Sequence, residues 1–520
     1  MVGYFDAMTS QSIEQAASTE GLDGARDEAR LTRILKQVFG RHLMDMAILV
    51  LLPLVLSGLR DREGVFGDPD IWWHLADARI LCESHHFIHV EPYSFTVAAQ
   101  RWVNPEWLSE LPFWFGYKAF GLVGIYLAAW LGVSANVLFV YWRSYLGMRH
   151  AGVALWTSAL GFVLMWVNAN ARTILFAYVM MSAALAILEA TERGHPQKLW
   201  LLPPLFCIWI NLHGSWIIGL GLFVLYIICG LFRVDTGIFN QEKFSVGQRN
   251  RLLATLVASL AVLFINPYGW RLVWNPFDMA FNQSLNIANV QEWQPLNLGW
   301  NVGKAALIAI GLTIFANIIH IRKWKLYELA FIFFAWYAAF DHARFTFLAA
   351  VVTIPMLAAD MKRSFFPVSD PKTIPVMNGL VAAGVVAVIV WYFPTNAMLQ
   401  KGVVREFPLQ SIASVQSSWR TLNEEHVGGM MDFNWKRTFI DTRWDTFEHH
   451  GVFNDYLDIF RLRNMLPLLA KYQIDHALLR KDEPLSYVLE RTPGWNVVRI
   501  EGSGQDQYEL FEKSSAAGRR

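Results

Sequence analysis

Two acids and a histidine near the start of the chain have the residue types and spacing of a catalytic site. The segment reads GDPDIWWHLADARIL, so Asp68, Asp70 and His74 follow the first long apolar run. If a helix begins at Ile71, Asp70 and His74 lie on one face, because they are four residues apart. A carboxylate there could accept a proton from an acceptor hydroxyl as a general base. Alternatively, Asp68 and Asp70 together hold a divalent cation such as Mg²⁺ or Mn²⁺, or Asp70 only caps the helix after a turn at Asp68.

Aromatic and acidic residues continue the same segment. Trp72 and Trp73 could stack on the face of a sugar, or they could anchor the segment at a membrane surface. The stretch WVNPEWLSELPFW predicts an amphipathic helix on the membrane, which the chain enters at Pro105. Glu106 and Glu110 lie on its polar side, where they either face the site or are solvated.

Arginines and histidines recur in later short turns between apolar runs. They are Arg172, His213, Arg271, His342 and Arg344. Ionisable residues beside membrane segments are costly and therefore suggest function. The planar guanidinium fits a phosphate, and it would stabilise the charge of a phosphate leaving group. The alternative is that each arginine extends to the lipid headgroups.

The composition is that of a membrane protein. Of the 520 residues, 54% are hydrophobic and 17% are charged, whereas a soluble domain has about a quarter charged residues. The balance of 44 basic against 43 acidic residues argues against a nucleic-acid partner. Its three cysteines are scattered, which predicts neither a disulfide framework nor a cysteine metal site.

The apolar residues form about eleven runs that predict membrane-spanning helices. Lysine and arginine are concentrated in every second loop between these runs, which predicts a cytoplasmic N-terminus. The runs are 43–59, 118–142, 151–167, 174–190, 199–212, 215–232, 252–266, 304–320, 326–340, 345–361 and 375–393.

This topology divides the chain into three predicted parts. Residues 1–42 are a cytoplasmic segment that is partly disordered, and residues 43–394 are the transmembrane domain with a long first outer loop at 60–117. Residues 395–520 are more polar and predict a small periplasmic α/β domain. Its predicted strands are Thr438–Asp441, Ala477–Leu479, Val497–Ile500 and Gln507–Phe511, and its predicted helices are about 455–472 and 483–491.

Several stretches resemble a bacterial family of polytopic glycosyltransferases of the GT-C type. In the first loop they are DPDIWWHLADARIL, PYSFT and WVNPEWLSEL. NLHG, NPYGWRL and VQEWQPL follow, and the tail adds FIDTRWDTF and YQIDHALLRKDEPLSYVL. The resemblance extends from about residue 43 to 513. One stretch departs from the family, because ANARTILF stands where an Arg-Pro pair is expected, and this puts the role of Arg172 in doubt.

The resemblance implies a multi-helix membrane core, a catalytic acid in the first outer loop and a polyprenyl-phosphate-sugar donor. By position, Asp70 is the implied base, with Asp68 second. We therefore expect an enzyme of the bacterial inner membrane that transfers a sugar to a glycan, lipid or protein acceptor on the periplasmic face. The alternatives are an O-antigen ligase or polymerase-like enzyme, a lipid or sugar transporter, and a scaffold without catalysis.

Overall fold

The computed structural model describes residues 42–56, 66, 68–366 and 375–514. The predicted cytoplasmic segment 1–42 lies outside the described residues except for its last residue. The start of the predicted outer loop, at 60–65, also lies outside them.

Up to residue 392 the described chain consists of helices and their connecting loops, with a small hairpin of β1 (Val234–Asp235) and β2 (Asn240–Gln241). Each of the eleven predicted apolar runs overlaps a helix within the described residues, so the helix positions are confirmed there, although the run 118–142 crosses a break between two helices at Gly121. The helices are α1 (Leu43–Leu56), α2 (Asp70–Ser84), α3 (Trp107–Phe120), α4 (Leu122–Met148), α5 (Ala151–Leu164), α6 (Ile174–Glu192), α7 (Leu202–Leu212), α8 (Trp216–Cys229), α9 (Val246–Val262), α10 (Trp270–Asn282), α11 (Ser284–Asn289), α12 (Asn301–Ile319), α13 (Leu326–Asp341), α14 (Thr346–Phe365) and α15 (Pro375–Tyr392).

Within the described ranges, four helices are long and apolar enough to cross a membrane. They are α4, α6, α12 and α14 with its preceding turn, and α15 forms a fifth span if it is joined to the helix that follows at a bend of 50°. Helices α1, α5 and α8 are apolar but shorter. The number of eleven spans therefore stays a prediction.

Helix α14 lies at the centre of the helical part. Thirteen of its residues are buried, most of them alanine, valine and leucine. Its neighbours are α4, α5, α12 and α13. Small side chains allow helix backbones to approach closely, and Gly161 of α5 lies directly against Ile354.

The tail folds around a four-stranded sheet. Its strands are β3 (Thr421–Asn423), β4 (His476–Arg480), β5 (Trp495–Glu501) and β6 (Tyr508–Lys513), in the order β3-β4-β6-β5. Only the β3–β4 pair is parallel. The helices around the sheet are α16 (Asn396–Glu406), α17 (Leu409–Ser414), α18 (Glu425–Phe433), α19 (Trp444–Glu448), α20 (Val452–Phe460), α21 (Met465–Lys471) and α22 (Pro484–Arg491).

Three of the four predicted strands fall in β4, β5 and β6, and the predicted helix at 455–472 is two helices, α20 and α21. The predicted strand Thr438–Asp441 is wrong. There only Thr438 forms an isolated bridge, to Ser94 of the first loop, and the Asn423 side chain bonds the main chain of Phe439 and Ile440. The missed strand β3 is three residues long and fully buried, too short to show an alternating pattern.

The first loop and the tail pack into one unit. Helix α18 lies on α2, and Gly429 permits this contact because an added Cβ would be 2.7 Å from the Pro69 carbonyl oxygen. The Thr96 hydroxyl donates to the Phe439 carbonyl at 2.7 Å, and the Phe95 amide donates to the Thr438 carbonyl at 3.1 Å. The tail therefore helps to position α2 and the acid at its first residue.

Candidate active site

Asp70 is the first residue of α2, and its side chain does not cap the helix. The N-cap is Pro69, and the Asp70 amide donates instead to the Asp68 carboxylate at 3.3 Å. The capping alternative for Asp70 is therefore wrong. The Asp70 carboxylate faces a cavity and accepts a 2.5 Å hydrogen bond from the Thr442 hydroxyl of the tail. Burial and the nearby Asp68 raise the pKa of Asp70 to about 7, although Arg172 and the Thr442 bond oppose the rise.

Two arginines from separate turns share one carboxylate beside Asp70. Arg172, in the turn before α6, pairs with Asp68 at 2.5 Å and with Glu292. Arg344, in the turn between α13 and α14, lies 3.5 Å from the same Glu292 carboxylate. Burial alone would raise the pKa of Glu292, but Arg172 and Arg344 outweigh it and lower this pKa to about 2. Glu292 is therefore ionised and bridges the two guanidinium groups.

Glu106 connects this ion cluster to the helical part. It is the N-cap of α3, which begins at Trp107 rather than at Pro105. The Thr173 hydroxyl donates to the Glu106 carboxylate, and His213 lies 3.2 Å from it. Burial raises the pKa of Glu106 to about 7, and burial together with Arg344 lowers the pKa of His213 to about 3. His213 is therefore neutral at physiological pH.

A buried acid network lies behind the cavity wall. His74 contacts the Glu110 carboxylate at 2.9 Å and Glu106 at 3.6 Å. The Asn104 amide then joins Glu110, at 2.8 Å, to Asp77, at 3.2 Å. Burial raises the pKa of Glu110 well above its usual range and lowers that of His74. The solvated alternative for Glu106 and Glu110 is therefore wrong: Glu110 is 1% exposed and supports the site from inside.

Two cavities lie on either side of the bridge that Glu292 forms between Arg172 and Arg344. The more polar of the two, called the polar cavity, has a volume of about 780 Å³ and holds Asp68, Asp70 and Arg172. Its wall also contains three indoles and several amides, namely Trp166, Trp300, Trp444, Asn289, Gln291 and Asn301. A mostly apolar cavity of about 440 Å³ lies on the other side, and its polar lining includes Glu106, His213, His342 and Arg344. Glu292 belongs to the wall of the polar cavity and reaches the arginines of both.

Besides His74 and Glu110, which lie behind the cavity wall, three of the predicted site residues face neither cavity. Trp72 is 2% exposed and packs in the apolar core against Phe407 and Phe433. Trp73 is also buried and packs on the His74 ring at 3.6 Å. Arg271 is exposed on α10, with its guanidinium 5.8 Å from the Trp270 ring. Of the two readings given to Trp72 and Trp73, sugar stacking and membrane anchoring, neither describes these buried positions.

Sequence reasoning missed Thr442 and Glu292. Glu292 is the single acid in VQEWQPL, a stretch that carried the family resemblance, and that was the available signal. Thr442 has no comparable signal, because a hydroxyl in the tail becomes significant only through its contact with Asp70.

The described residues do not fit the predicted divalent-cation site. Among them, no group of three or more His, Cys, Asp or Glu side chains is arranged to hold a metal ion. The Asp68 carboxylate, one of the two proposed ligands, is paired with the Arg172 guanidinium. Asp68 therefore acts here as the anionic partner of an arginine.

No protein-family model and no curated protein sequence matches this chain. Among solved structures it is similar to the oligosaccharyltransferase AglB of Archaeoglobus fulgidus in complex with an inhibitory peptide and a dolichol-phosphate. The TM-score is 0.57 at 10% identity, over 92% of this chain and 75% of that one. The apo oligosaccharyltransferase of the same organism gives 0.54 at 11% identity, over 85% and 69%. ArnT of Cupriavidus metallidurans bound to undecaprenyl phosphate gives 0.48 at 14% identity, over 90% and 98%.

The two archaeal structures establish the fold. The chain has a helical core of the same fold as these two structures, with helices apolar enough to cross a membrane, and a small sheet at its C-terminal end. What the fold is used for follows from the residues of the site.

Proposed function

We propose that this protein is a membrane glycosyltransferase that transfers a sugar from a polyprenyl-phosphate carrier to an acceptor hydroxyl. One observation carries the proposal. The Asp70 carboxylate, suited to act as a base, lies in a polar cavity beside Arg172, and Glu292 links Arg172 to Arg344 in the wall of an apolar cavity. A donor that joins a sugar to an isoprenoid chain through a phosphate has the same three parts in the same order.

The phosphate would lie between Arg172 and Arg344. Both guanidinium groups are held in place by Glu292, and a phosphate can take over the same charge-assisted hydrogen bonds. The isoprenoid chain would occupy the apolar cavity, which is lined by side chains such as Met181, Ile217 and Phe347. The similar AglB structure was solved with a dolichol-phosphate, which is in keeping with this arrangement.

The sugar and the acceptor would share the polar cavity. Its volume of about 780 Å³ lies within the usual range for small-molecule sites. Trp300 and Trp444 offer apolar faces, and the amides of Asn289 and Asn301 offer hydrogen bonds to hydroxyl groups.

The reaction is a displacement at the anomeric carbon. Asp70 accepts the proton of the acceptor hydroxyl while the acceptor oxygen bonds to that carbon. The bond from the carbon to the phosphate oxygen breaks, and the leaving polyprenyl phosphate keeps the electron pair. Arg172 and Arg344 stabilise the charge that develops on it. A base with a pKa of about 7 is matched to proton transfer near neutral pH.

The orientation predicted from the loops remains part of the proposal, with the site and the 395–520 domain in the periplasm and the N-terminus in the cytoplasm. It is supported by the separation of charges. Asp70, Arg172 and Arg344 lie at one end of the helices, whereas Arg143, Arg193 and other residues from the basic loops line a cavity at the opposite end.

The decisive test is Asp70→Asn, expressed in a strain that lacks the endogenous protein. We expect loss of the glycolipid or glycan product, with membrane insertion and expression unchanged. Asp482→Asn is the matched control, because Asp482 lies in an exposed turn before α22 and should leave the product at the wild-type level. Wild-type product from the Asp70→Asn strain would remove Asp70 as the base.

The chemistry of the sugar donor distinguishes the proposed function from the main alternative. Reconstituted protein should use a polyprenyl-monophosphate sugar. Transfer only from a polyprenyl-diphosphate glycan would instead identify an O-antigen ligase or polymerase-like enzyme.

A further inference from the structure

The tail contributes one side chain that touches the candidate base. In the segment between α18 and α19, the Thr442 hydroxyl donates to Asp70 Oδ1 at 2.5 Å. Thr442 and Trp444 also form part of the polar cavity wall. The two bonded residues are 372 positions apart in the chain.

A buried ion cluster holds Thr442 in place. The next residue, Arg443, pairs with the Glu91 carboxylate at 2.8 Å and with Asp441 at 2.5 Å. The side chains of all three are 2% exposed or less. The Asp441 carboxylate also accepts from the Arg443 amide at 2.8 Å, which closes a tight turn around Thr442. The residues on both sides of Thr442 are therefore fixed.

The first loop supplies the other half of this cluster. The Glu91 carboxylate accepts from the amides of Tyr93 and Ser94, at 2.8 and 2.9 Å. The Arg443 guanidinium lies 4.8 Å from the Trp102 ring and 5.1 Å from the Tyr93 ring. Its charge is thus enclosed between two carboxylates and two aromatic rings, which is a geometry that a buried guanidinium requires.

We propose that the tail completes the active site: the Thr442 hydroxyl is a positioning group for the Asp70 carboxylate, and the Arg443 cluster holds Thr442 against it. This inference rests on the proposed function only in naming Asp70 as the base. A fixed donor on one carboxylate oxygen leaves the other free to face the acceptor hydroxyl. It also favours the ionised form of the carboxyl, because the hydroxyl donates to a negative charge.

The other groups around Asp70 also affect its pKa. Burial, Asp68 and Glu292 favour the neutral carboxyl, whereas Arg172 and Thr442 favour the charged one. Without the Thr442 hydroxyl, Arg172 is the only one of these groups that favours the ionised Asp70 carboxylate. The pKa of Asp70 should then rise above about 7.

The test measures the titration of Asp70 directly and needs no sugar donor. Full-length protein in detergent is treated with a water-soluble carbodiimide and glycine ethyl ester between pH 5 and 9, since this reagent modifies protonated carboxyl groups. Modification at Asp70 is quantified by peptide fragmentation, which separates it from Asp68. Four variants are compared with the wild type: Thr442→Val, Thr442→Ala, Thr442→Ser and Thr446→Val.

The expected midpoint of the Asp70 titration depends on whether residue 442 carries a hydroxyl. Thr442→Val and Thr442→Ala should shift the Asp70 midpoint upward by about one pH unit, and Thr442→Ser should restore it to about 7 because it keeps the donor. Thr446→Val is the matched control, since the Thr446 hydroxyl is buried without a hydrogen-bond partner among the described residues. If the valine variant does not fold, the alanine variant decides the same question.

A wild-type midpoint in both hydroxyl-free variants would overturn the proposal, even if they lost activity, because Thr442 would then only fill the cavity wall. The outcome is independent of the proposed reaction. A shifted midpoint together with full sugar transfer by Asp70→Asn would keep the positioning role and reject Asp70 as the base.

Discussion

Replacing Arg443 by leucine should be among the most destabilising single changes in the tail. Its guanidinium is enclosed, and its loss leaves the buried Glu91 and Asp441 carboxylates without a cation. Removing one partner of a buried ion pair costs about 3–5 kcal/mol. Solvent screening does not reduce this cost, because both carboxylates are fully buried.

Native-state hydrogen exchange measures this cost where it arises. For Arg443→Leu, amides that open with the tail should exchange roughly a hundred- to a few-thousand-fold faster, since each 1.36 kcal/mol corresponds to about a factor of ten. The peptides to follow are those around β3 and α18, which lie next to the cluster. Arg437→Leu is the control, because Arg437 is exposed in the same segment and should change stability by less than about 0.5 kcal/mol.

A triple variant tests the cause. Adding Glu91→Gln and Asp441→Asn removes the uncompensated charges, so protection should recover in part. If Arg443→Leu exchanges no faster than Arg437→Leu, the cluster does not hold the tail in place, and the explanation given for the fixed position of Thr442 is wrong.

Three further changes follow from contacts at the site. Glu292→Gln should strengthen binding of polyprenyl phosphate roughly tenfold, about 1.4 kcal/mol, because the side chain that pairs with Arg172 and Arg344 loses its negative charge. Native mass spectrometry measures this binding, and weaker binding would contradict the prediction. Gly429→Ala should lower the free energy of unfolding by about 1–3 kcal/mol, since its Cβ would meet the Pro69 carbonyl. Gly247→Ala is the control because Gly247 faces open space, and equal melting temperatures for the two variants would disprove the close contact. The rate of sugar transfer should rise with pH up to about 7 and then level off, because the raised pKa of Asp70 keeps the base protonated below that pH. A rate that does not depend on pH between 5 and 7 would exclude Asp70 as the base.

The helical part could be predicted from the sequence because hydropathy is a local property. Every apolar run became a helix, and the alternation of basic loops correctly implied that the turns carrying Arg172, His213 and Arg344 lie at one end. Arg271 shows the limit of this reasoning. Its turn is at the expected end, but the side chain lies on the exposed side of α10.

Contacts between distant segments could not be predicted. Whether an indole such as Trp72 faces a cavity or the core depends on what packs against it, and the partner here is Phe433 of the tail. The sequence likewise contains no sign that Glu110 is buried, because an amphipathic helix on a membrane and one under a folded tail have the same pattern. Thr442 and Glu292 acquire their significance only when five separate segments meet, namely the first loop, the turns at Arg172 and Arg344, the loop at Glu292 and the tail.

The contact between α2 and α18 has a consequence for biosynthesis. The two helices lie about 350 residues apart in the chain, and a ribosome adds about 5–20 residues per second. For roughly 20 to 70 seconds after Trp72 is translated, the side of α2 that packs on α18 lacks its partner from the tail. The newly made loop would need a chaperone or the lipid surface during this interval, and slowing synthesis between residues 84 and 425 should increase the fraction of chains that are degraded.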